Sequence, residues 1–333
     1  LAENTSGGAA APGDRQHLEF EKPIVELEDK IAELKHLASV QNVSVDDEVK
    51  KLTDKADKLR RDIFSKLTAW QQVQLARHPL RPYALDYIRY WTDDFTELHG
   101  DRSFADDPAI VGGLMTLADK RIMVIGQEKG RNTKEKIHRN FGMPHPEGYR
   151  KAQRLMEMAE KFRIPVVTLV DTPGAYPGLG AEERGQFQAI AESLKLMSGL
   201  RIPFVCVVIG EGGSGGALAL GVGDRILMLE HAIYSVITPE GCAAILWRDQ
   251  AKAKEAANAL KLTSSHLLSL GVIDRVVAEP PGGAHRDPEA MAGELKRVVY
   301  EELDYLEHID PETLVINRVN KYREIGYFSE ESP

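Results

Sequence analysis

The sequence predicts an α/β protein whose sheet is covered on both faces, preceded by a helical hairpin. Three observations carry this. Short apolar runs recur at Ile110–Leu117, Ile122–Gly126, Val166–Val170, Phe204–Ile209, Ile226–Leu229, Ile233–Ile237 and Val272–Val277, the last broken by Asp274 and Arg275. Helical patterns separate several of them, notably Glu147–Phe162 and Glu182–Met197. Few polar residues interrupt the runs, as expected of strands buried on both faces between helices.

The hairpin rests on two apolar stripes. Ile24, Leu27, Ile31 and Leu34 recur at spacings of 3, 4 and 3. Val49, Leu52, Ala56, Leu59 and Ile63 recur at 3, 4, 3 and 4. Each is one face of a helix. Between them, Ser44 is placed to cap the second helix, and Asp46 and Asp47 favour the positive end of its dipole. The stripes suit either an assembly arm or a hairpin folded on its own domain. Residues 1–17 are small, Pro-containing and polar, so they are expected to form a disordered tail. His78-Pro79 and Arg81-Pro82 punctuate the entry to the main domain. The expected division is a tail over 1–17, a hairpin and linker over 18–78, a main domain over 79–305 and a C-terminal helical extension over 306–333. The stretch from Pro288 to Tyr322 reads as helical, charged and packed on the outside.

Composition removes several classes of function. The chain has 333 residues, 43% hydrophobic and 28% charged, close to the soluble globular average. Lys plus Arg is 42 and Asp plus Glu is 51, a net charge of −9, the wrong sign for a general nucleic-acid binder. Two cysteines, Cys206 and Cys242, make neither a disulfide framework nor a four-cysteine zinc site. The longest apolar run is too short for a bilayer, and the first residues lack the pattern of a signal peptide. The expectation is a soluble, cytoplasmic protein.

The chemistry points to Gly210-Glu211-Gly212-Gly213-Ser214-Gly215-Gly216-Ala217, after one strand and at the start of a small-residue helix. Seven glycines lie between Gly210 and Gly223, more than helix packing needs. Three readings fit. Gly210, Gly212 and Gly215 match G-x-G-x-x-G, with Glu230 placed to bind a ribose, although the following helix is short for a crossover. Gly212, Ser214 and Gly216 match the G-x-S-x-G elbow of a serine hydrolase, with His231, His266, His285 and His308 as candidate bases. The third reading is an oxyanion hole of main-chain N–H groups, in which no side chain does chemistry.

A second turn, Asp171-Thr172-Pro173-Gly174-Ala175-Tyr176-Pro177-Gly178, follows the Val166–Val170 run. Asp-Thr-Pro-Gly also occurs in GTPases, but that reading needs a Gly-Lys-Ser or Gly-Lys-Thr phosphate loop, and the chain has neither. It reads instead as a rigid loop at the carboxyl end of a strand, where α/β sheets keep their ligands.

These two turns, with Ala181-Glu182-Glu183-Arg184-Gly185-Gln186, Pro239-Glu240-Gly241-Cys242-Ala243 and Arg139-Asn140-Phe141-Gly142-Met143-Pro144, resemble the α-subunit family of the acetyl-CoA carboxylase carboxyltransferases. The resemblance runs from about Phe20 to the Asp287–Met291 segment, and is weaker in the tail and the last thirty residues. It implies a crotonase-like spiral of β-β-α units. It implies transfer of a carboxyl group from carboxybiotin, on a biotin carboxyl carrier protein, to acetyl-CoA, giving malonyl-CoA for fatty-acid synthesis. It implies a β-subunit partner with a zinc ribbon, an α2β2 assembly, and biotin carboxylase in the larger complex. No metal is expected in this chain. Carried over by motif, Gly215 and Gly216 would donate the biotin-side N–H groups, and Gly174, Ala175 and Gly213 would line the same pocket. The basic segment Lys129, Arg131, Lys134, Lys136 and Arg139 could meet CoA phosphates or the partner, but reads more simply as a solvated loop.

Overall fold

A computed structural model describes residues 16–41 and 44–326. The expected tail lies almost wholly outside the described residues. The chain forms two compact units, one running to Leu67 together with His78–Leu80, the other made of Thr68–Arg77 and the chain from Arg81 onward.

The first unit is a pair of helices, α1 (Lys22–Gln41) and α2 (Asp46–Phe64). Ile24 of one stripe and Ala56 of the other are buried, and the Phe20 and Phe64 rings meet edge to face with centroids 5.9 Å apart. Arg60 ties the helices by an ion pair to Glu28 at 2.7 Å. Ser44 is not the cap expected of it. Val45 holds the N-cap position without a side-chain bond, and the Ser44 hydroxyl donates to Asp46 instead.

The second unit is built on eight strands: β1 (Thr96–Glu97), β2 (Ile110–Leu117), β3 (Lys120–Gln127), β4 (Val166–Thr172), β5 (Phe204–Gly213), β6 (Arg225–Leu229), β7 (Ile233–Ser235) and β8 (Arg275–Val277). Their order is β1-β2-β3-β4-β5-β6-β8, with β7 also on β5. β2 and β3 form an antiparallel hairpin, and pairing is parallel from β3 through β8. Every residue of β4 and of β5 is buried, which is why both read as unbroken runs.

Helices in this unit are α3 (Ala69–Ala76), α4 (Ala84–Trp91), α5 (Thr133–His138), α6 (Pro146–Phe162), α7 (Leu179–Glu183), α8 (Gln186–Gly199), α9 (Ser214–Leu218), α10 (Pro239–Trp247), α11 (Ala253–Ala259), α12 (Ser264–Ser269), α13 (Pro288–Glu307) and α14 (Pro311–Glu324). The single helix expected over Glu182–Met197 is two, because Gly185 takes a left-handed φ of 81° between α7 and α8.

β5 changes partners along its length. Val205–Val208 pair with β6, whereas Glu211–Gly213 pair with β7. Its register against β4 slips between these halves, from Val170↔Val208 to Thr172↔Gly212. A slip leaves strand groups without ladder partners. Buried Arg81 answers one of them, donating from Nε to the Ile209 carbonyl at 2.8 Å while its other nitrogens hold Glu279. The strand therefore runs on through Gly213, four residues beyond the apolar run.

The C-terminal helices are not an outer layer. Leu295, Val298, Val299 and Leu303 of α13 sit in the main core. Arg318 of α14 is 1% exposed and pairs with Asp224 at 2.8 Å. It also donates to the carbonyls of Met197, Leu200 and Ile202 at 2.6, 2.8 and 3.2 Å. One planar fork thus closes the loop between α8 and β5 onto the end of the chain. Arg318→Ala strands a buried carboxylate and three carbonyls, so it should cost roughly 3–5 kcal/mol in denaturant unfolding. Arg318→Lys should recover only part, because one ammonium cannot reach all of these acceptors.

Candidate active site

The two singled-out turns leave the carboxyl ends of adjacent strands, β4 and β5, and meet main chain to main chain. A Cβ on Gly213 would lie 2.3 Å from the Pro173 carbonyl oxygen. One on Gly216 would lie 2.5 Å from the Ala175 nitrogen and 2.5 Å from the Gly174 carbonyl carbon. Neither position admits a side chain without moving backbone. Gly210 is closed differently, since its Cβ would fall 2.5 Å from the Asp171 carboxylate. Gly215 is open, with only Ile190 methyl groups at 3.6 and 3.7 Å. The structure thus brings Gly174, Ala175, Gly213 and Gly216 into one contact, with Gly215 beside it on the free side.

The turn itself is tense. Ser214, the first residue of α9, takes a φ of 56°, the left-handed region that a residue with a Cβ enters at a cost. That twist lets a fully buried strand turn at once into a helix. Gly213 offers no side chain to cap the helix, and the N–H groups of Gly215 and Gly216 lie in its first turn, where no carbonyl stands one turn back to take them. Small residues and uncommitted donors are what stabilising a negative oxygen requires.

Buried polar side chains hold the turns in place. Gln127, at the end of β3 and 0% exposed, donates to the Gly216 carbonyl at 2.7 Å and accepts from the Asp171 N–H at 3.0 Å. The Thr172 hydroxyl donates to the Gly142 carbonyl at 2.6 Å and accepts from the Gly174 N–H at 3.1 Å. Beneath them lies an ionic chain. The Asp171 carboxylate takes the Lys129 ammonium at 2.5 Å and the Glu211 N–H at 2.8 Å. Glu211 takes Arg77 at 2.6 Å, and Arg77 reaches Glu240 of α10 at 2.7 Å. Burial works against the Lys129 charge, but Asp171 and Glu211 outweigh it and raise its pKa above the ordinary value.

The basic segment is therefore not one solvated loop. Lys129 is mostly buried within this chain of charges, Arg131 pairs with Asp86, and Arg139 donates to the Pro108 carbonyl at 2.6 Å. Lys134 and Lys136 do stand in solvent. Of the residues that hold the turns, Gln127, Thr172 and Lys129 were not singled out as such. The one signal for Gln127 is an amide ending the apolar run Ile122–Gly126.

An apolar cavity of about 330 Å³ opens on the free side, bounded by Ser214, Gly215, Leu218, Tyr234, Val236 and Val272. A larger one, about 970 Å³, lies beyond the amino ends of β4 and β5, near Pro165 and Pro203. It faces neither turn, and parallel sheets keep their ligands at the carboxyl ends.

Two rival readings lose their support here. Ser214 makes no side-chain hydrogen bond among the described residues, and His266 and His308 are bonded to Thr263 and to the Asp304 carbonyl. Neither of these two histidines is bonded to Ser214, as a base serving a nucleophile would be. The exposed Glu230 carboxylate accepts from the Glu279 N–H at 3.1 Å, a bond within its own fold.

Comparison with known proteins follows the same lines. A family model described as acetyl co-enzyme A carboxylase carboxyltransferase-like matches residues 17–326. The acetyl-coenzyme A carboxylase carboxyl transferase subunit alpha of Thioalkalivibrio sulfidiphilus is 56% identical over 313 residues, 94% of this chain and 98% of its own. The protein of that name from Geobacter metallireducens is 58% identical over 313 residues, with the same coverage. Among solved structures, transcarboxylase 12S with methylmalonyl-coenzyme A and methylmalonic acid bound is similar with a TM-score of 0.55 and 20% identity, covering 67% of this chain and 41% of that one. A Pseudomonas malonate decarboxylase hetero-tetramer in complex with coenzyme A is similar with a TM-score of 0.56 and 16% identity, covering 72% of this chain and 94% of that one. At such identities these structures speak for the fold, and the crotonase-like α/β class expected from the sequence stands.

The packing makes a direct stability prediction. Gly215→Ala meets only movable methyl groups and should change thermal stability by less than about 1 kcal/mol, alanine being the better helix former. Gly216→Ala must push two backbones apart and should cost roughly 1–3 kcal/mol, as overpacking does. Thermal unfolding of the two variants side by side checks this.

Proposed function

The chain belongs to the α-subunit family of the acetyl-CoA carboxylase carboxyltransferases, and from that premise we propose that it supplies the biotin-side half of the carboxyl-transfer site. The reaction moves a carboxyl group from carboxybiotin to acetyl-CoA, forming malonyl-CoA. The observation that carries the reading is the close contact of the 172–175 and 213–216 turns, which leaves main-chain donors beside an apolar cavity.

Carboxybiotin brings a carboxyl group on a ureido nitrogen, and its loss leaves negative charge on the ureido oxygen. This chain's part is to hold that oxygen. The N–H groups of Gly215 and Gly216 donate to it, Gly174, Ala175 and Gly213 form the wall behind, and the cavity by Leu218 and Val272 takes apolar ring surface. The donors are fixed before the reaction, so no reorganisation is needed as charge develops, and each donor is worth about 2.7–4 kcal/mol where such holes have been tested. Ser214 contributes its backbone angle, not a nucleophile.

A second negative oxygen, on the enolate of acetyl-CoA, needs a second hole. The reading assigns it to the β subunit, which also carries the zinc ribbon, in an α2β2 assembly served by the biotin carboxyl carrier protein and biotin carboxylase. No helix among the described residues is long and apolar enough to cross a membrane. The reading places the assembly in the cytoplasm.

The test is reconstitution. The purified chain alone, given carboxybiotin and acetyl-CoA, should make no malonyl-CoA, and adding a β subunit should restore it. In the complex, Ser214→Ala should keep most of the activity. A correctly folded Gly216→Val should lose roughly 10²–10³ in rate, the cost of one well-aimed donor. Turnover by the lone chain, or a dead Ser214→Ala beside a working Gly216→Val, would overturn the reading.

A further inference from the structure

We infer that Gln127 is a positioning residue for the oxyanion-holding turn, acting through the Gly216 carbonyl. This rests on the role proposed above for Gly215 and Gly216. Gln127 is fully buried at the carboxyl end of β3, and its amide is spent on the main chain of both turns. Its Nε2 donates to the Gly216 carbonyl at 2.7 Å, and its Oε1 accepts from the Asp171 N–H at 3.0 Å.

The Gly216 carbonyl is free to take this bond because α9 ends early. In a continued helix it would accept from the Leu220 N–H, but that group bonds to the Ala217 carbonyl at 3.1 Å instead. Gln127 takes the place of the missing helical donor. The carbonyl it holds belongs to the residue whose N–H is to meet the oxyanion. That carbonyl and that N–H lie in successive peptide units joined by the two rotations of Gly216, and glycine has no side chain to restrict those rotations, so holding the carbonyl limits how the donor can turn. Asp171 extends the clamp, since its carboxylate also holds the Glu211 N–H on β5 at 2.8 Å. A single amide therefore ties the aim of the donor turn to the end of β4.

The charge that could disturb this bond is near. Asp171 faces Gln127 through its own N–H, and Lys129 and Glu211 meet the Asp171 side. Gln127 is itself neutral, so its two bonds do not titrate, while the buried carboxyl of Glu128, next in the chain, is raised to about 7 by burial and is common to native and variant complexes. That supplies the test. In Gln127→Glu, the ionised carboxylate still accepts from Asp171 but turns a lone pair on the Gly216 carbonyl. The protonated acid regains a donor and reproduces the native pattern. In Gln127→Met, nearly the same volume is kept and both bonds are lost.

The experiment uses the complex reconstituted with a β subunit, with kcat and KM for carboxybiotin-dependent carboxyl transfer measured across pH and checked for assembly. Gln127→Met should lower kcat roughly 10²-fold with a much smaller change in KM, at every pH, as a misplaced catalytic group does. Gln127→Glu should fall as far at high pH, and its kcat relative to the native complex should rise as pH is lowered. Hydrogen exchange of residues 210–220 should quicken in Gln127→Met while that of β2 stays unchanged. Native kcat in an assembled Gln127→Met, or a Gln127→Glu ratio flat in pH, overturns the inference. Unchanged exchange in the 210–220 segment does the same and needs no turnover. An inactive native complex would instead count against the role given to the turn, leaving the exchange result to decide the clamp.

Discussion

The structure of the site depends on two backbones lying closer than any side chain allows. Gly213 and Gly216 press on Pro173, Gly174 and Ala175 so tightly that an added methyl group would overlap main-chain atoms at 2.3–2.5 Å. Everything around this contact serves it. β5 slips its register and trades β6 for β7 so that its last residues can reach the β4 turn. Arg81 satisfies the Ile209 carbonyl where the strand bends away, and Ser214 accepts an unfavourable φ so that strand and helix can join without a linker.

Polar groups inside the unit follow the same logic. Asp171, Thr172, Gln127 and Glu211 are all at most 5% exposed; the first three bond main chain through their side chains, and the Glu211 carboxylate is held by Arg77. Buried polar groups are tolerable only when satisfied, and these are satisfied by the very turns they hold. Lys129 and Arg77 neutralise the carboxylates from the outside. The site is thus a stack in which charges brace side chains and side chains brace backbone, and in the proposed reading only backbone faces the ligand.

Much of this was legible in the sequence. Seven of the eight strands, the α1–α2 hairpin and the glycine turn announce themselves through periodicity and composition, because burial on one or both faces leaves a pattern in neighbouring residues; β1, two residues of Thr96–Glu97 that are not buried, does not. What was not legible depends on contacts far apart in the chain. Lys129 looks like one of five basic residues in a loop until Asp171, 42 positions on, is beside it. Arg318 looks like surface charge on a helix until it meets Asp224, 94 positions away. Ser44 has the right chemistry for a cap, but the helix begins one residue later than its hydroxyl would require. The glycines were read as marking close approach, yet which of them are closed and which is open is decided by Pro173 and Ile190, not by their neighbours.

One consequence follows from the make-up of the 213–216 turn. It contains no ionisable side chain, and a peptide N–H keeps its proton across the whole range in which a protein stays folded. A hole of this kind has no pKa and no redox state, and it offers no nucleophile for an electrophile to cap. Its strength is set by distance and angle alone. The hole itself therefore adds no acid or base limb to the rate of the proposed carboxyl transfer; such a limb must originate in the charged groups that brace the turn, in the reacting groups, or in a partner subunit.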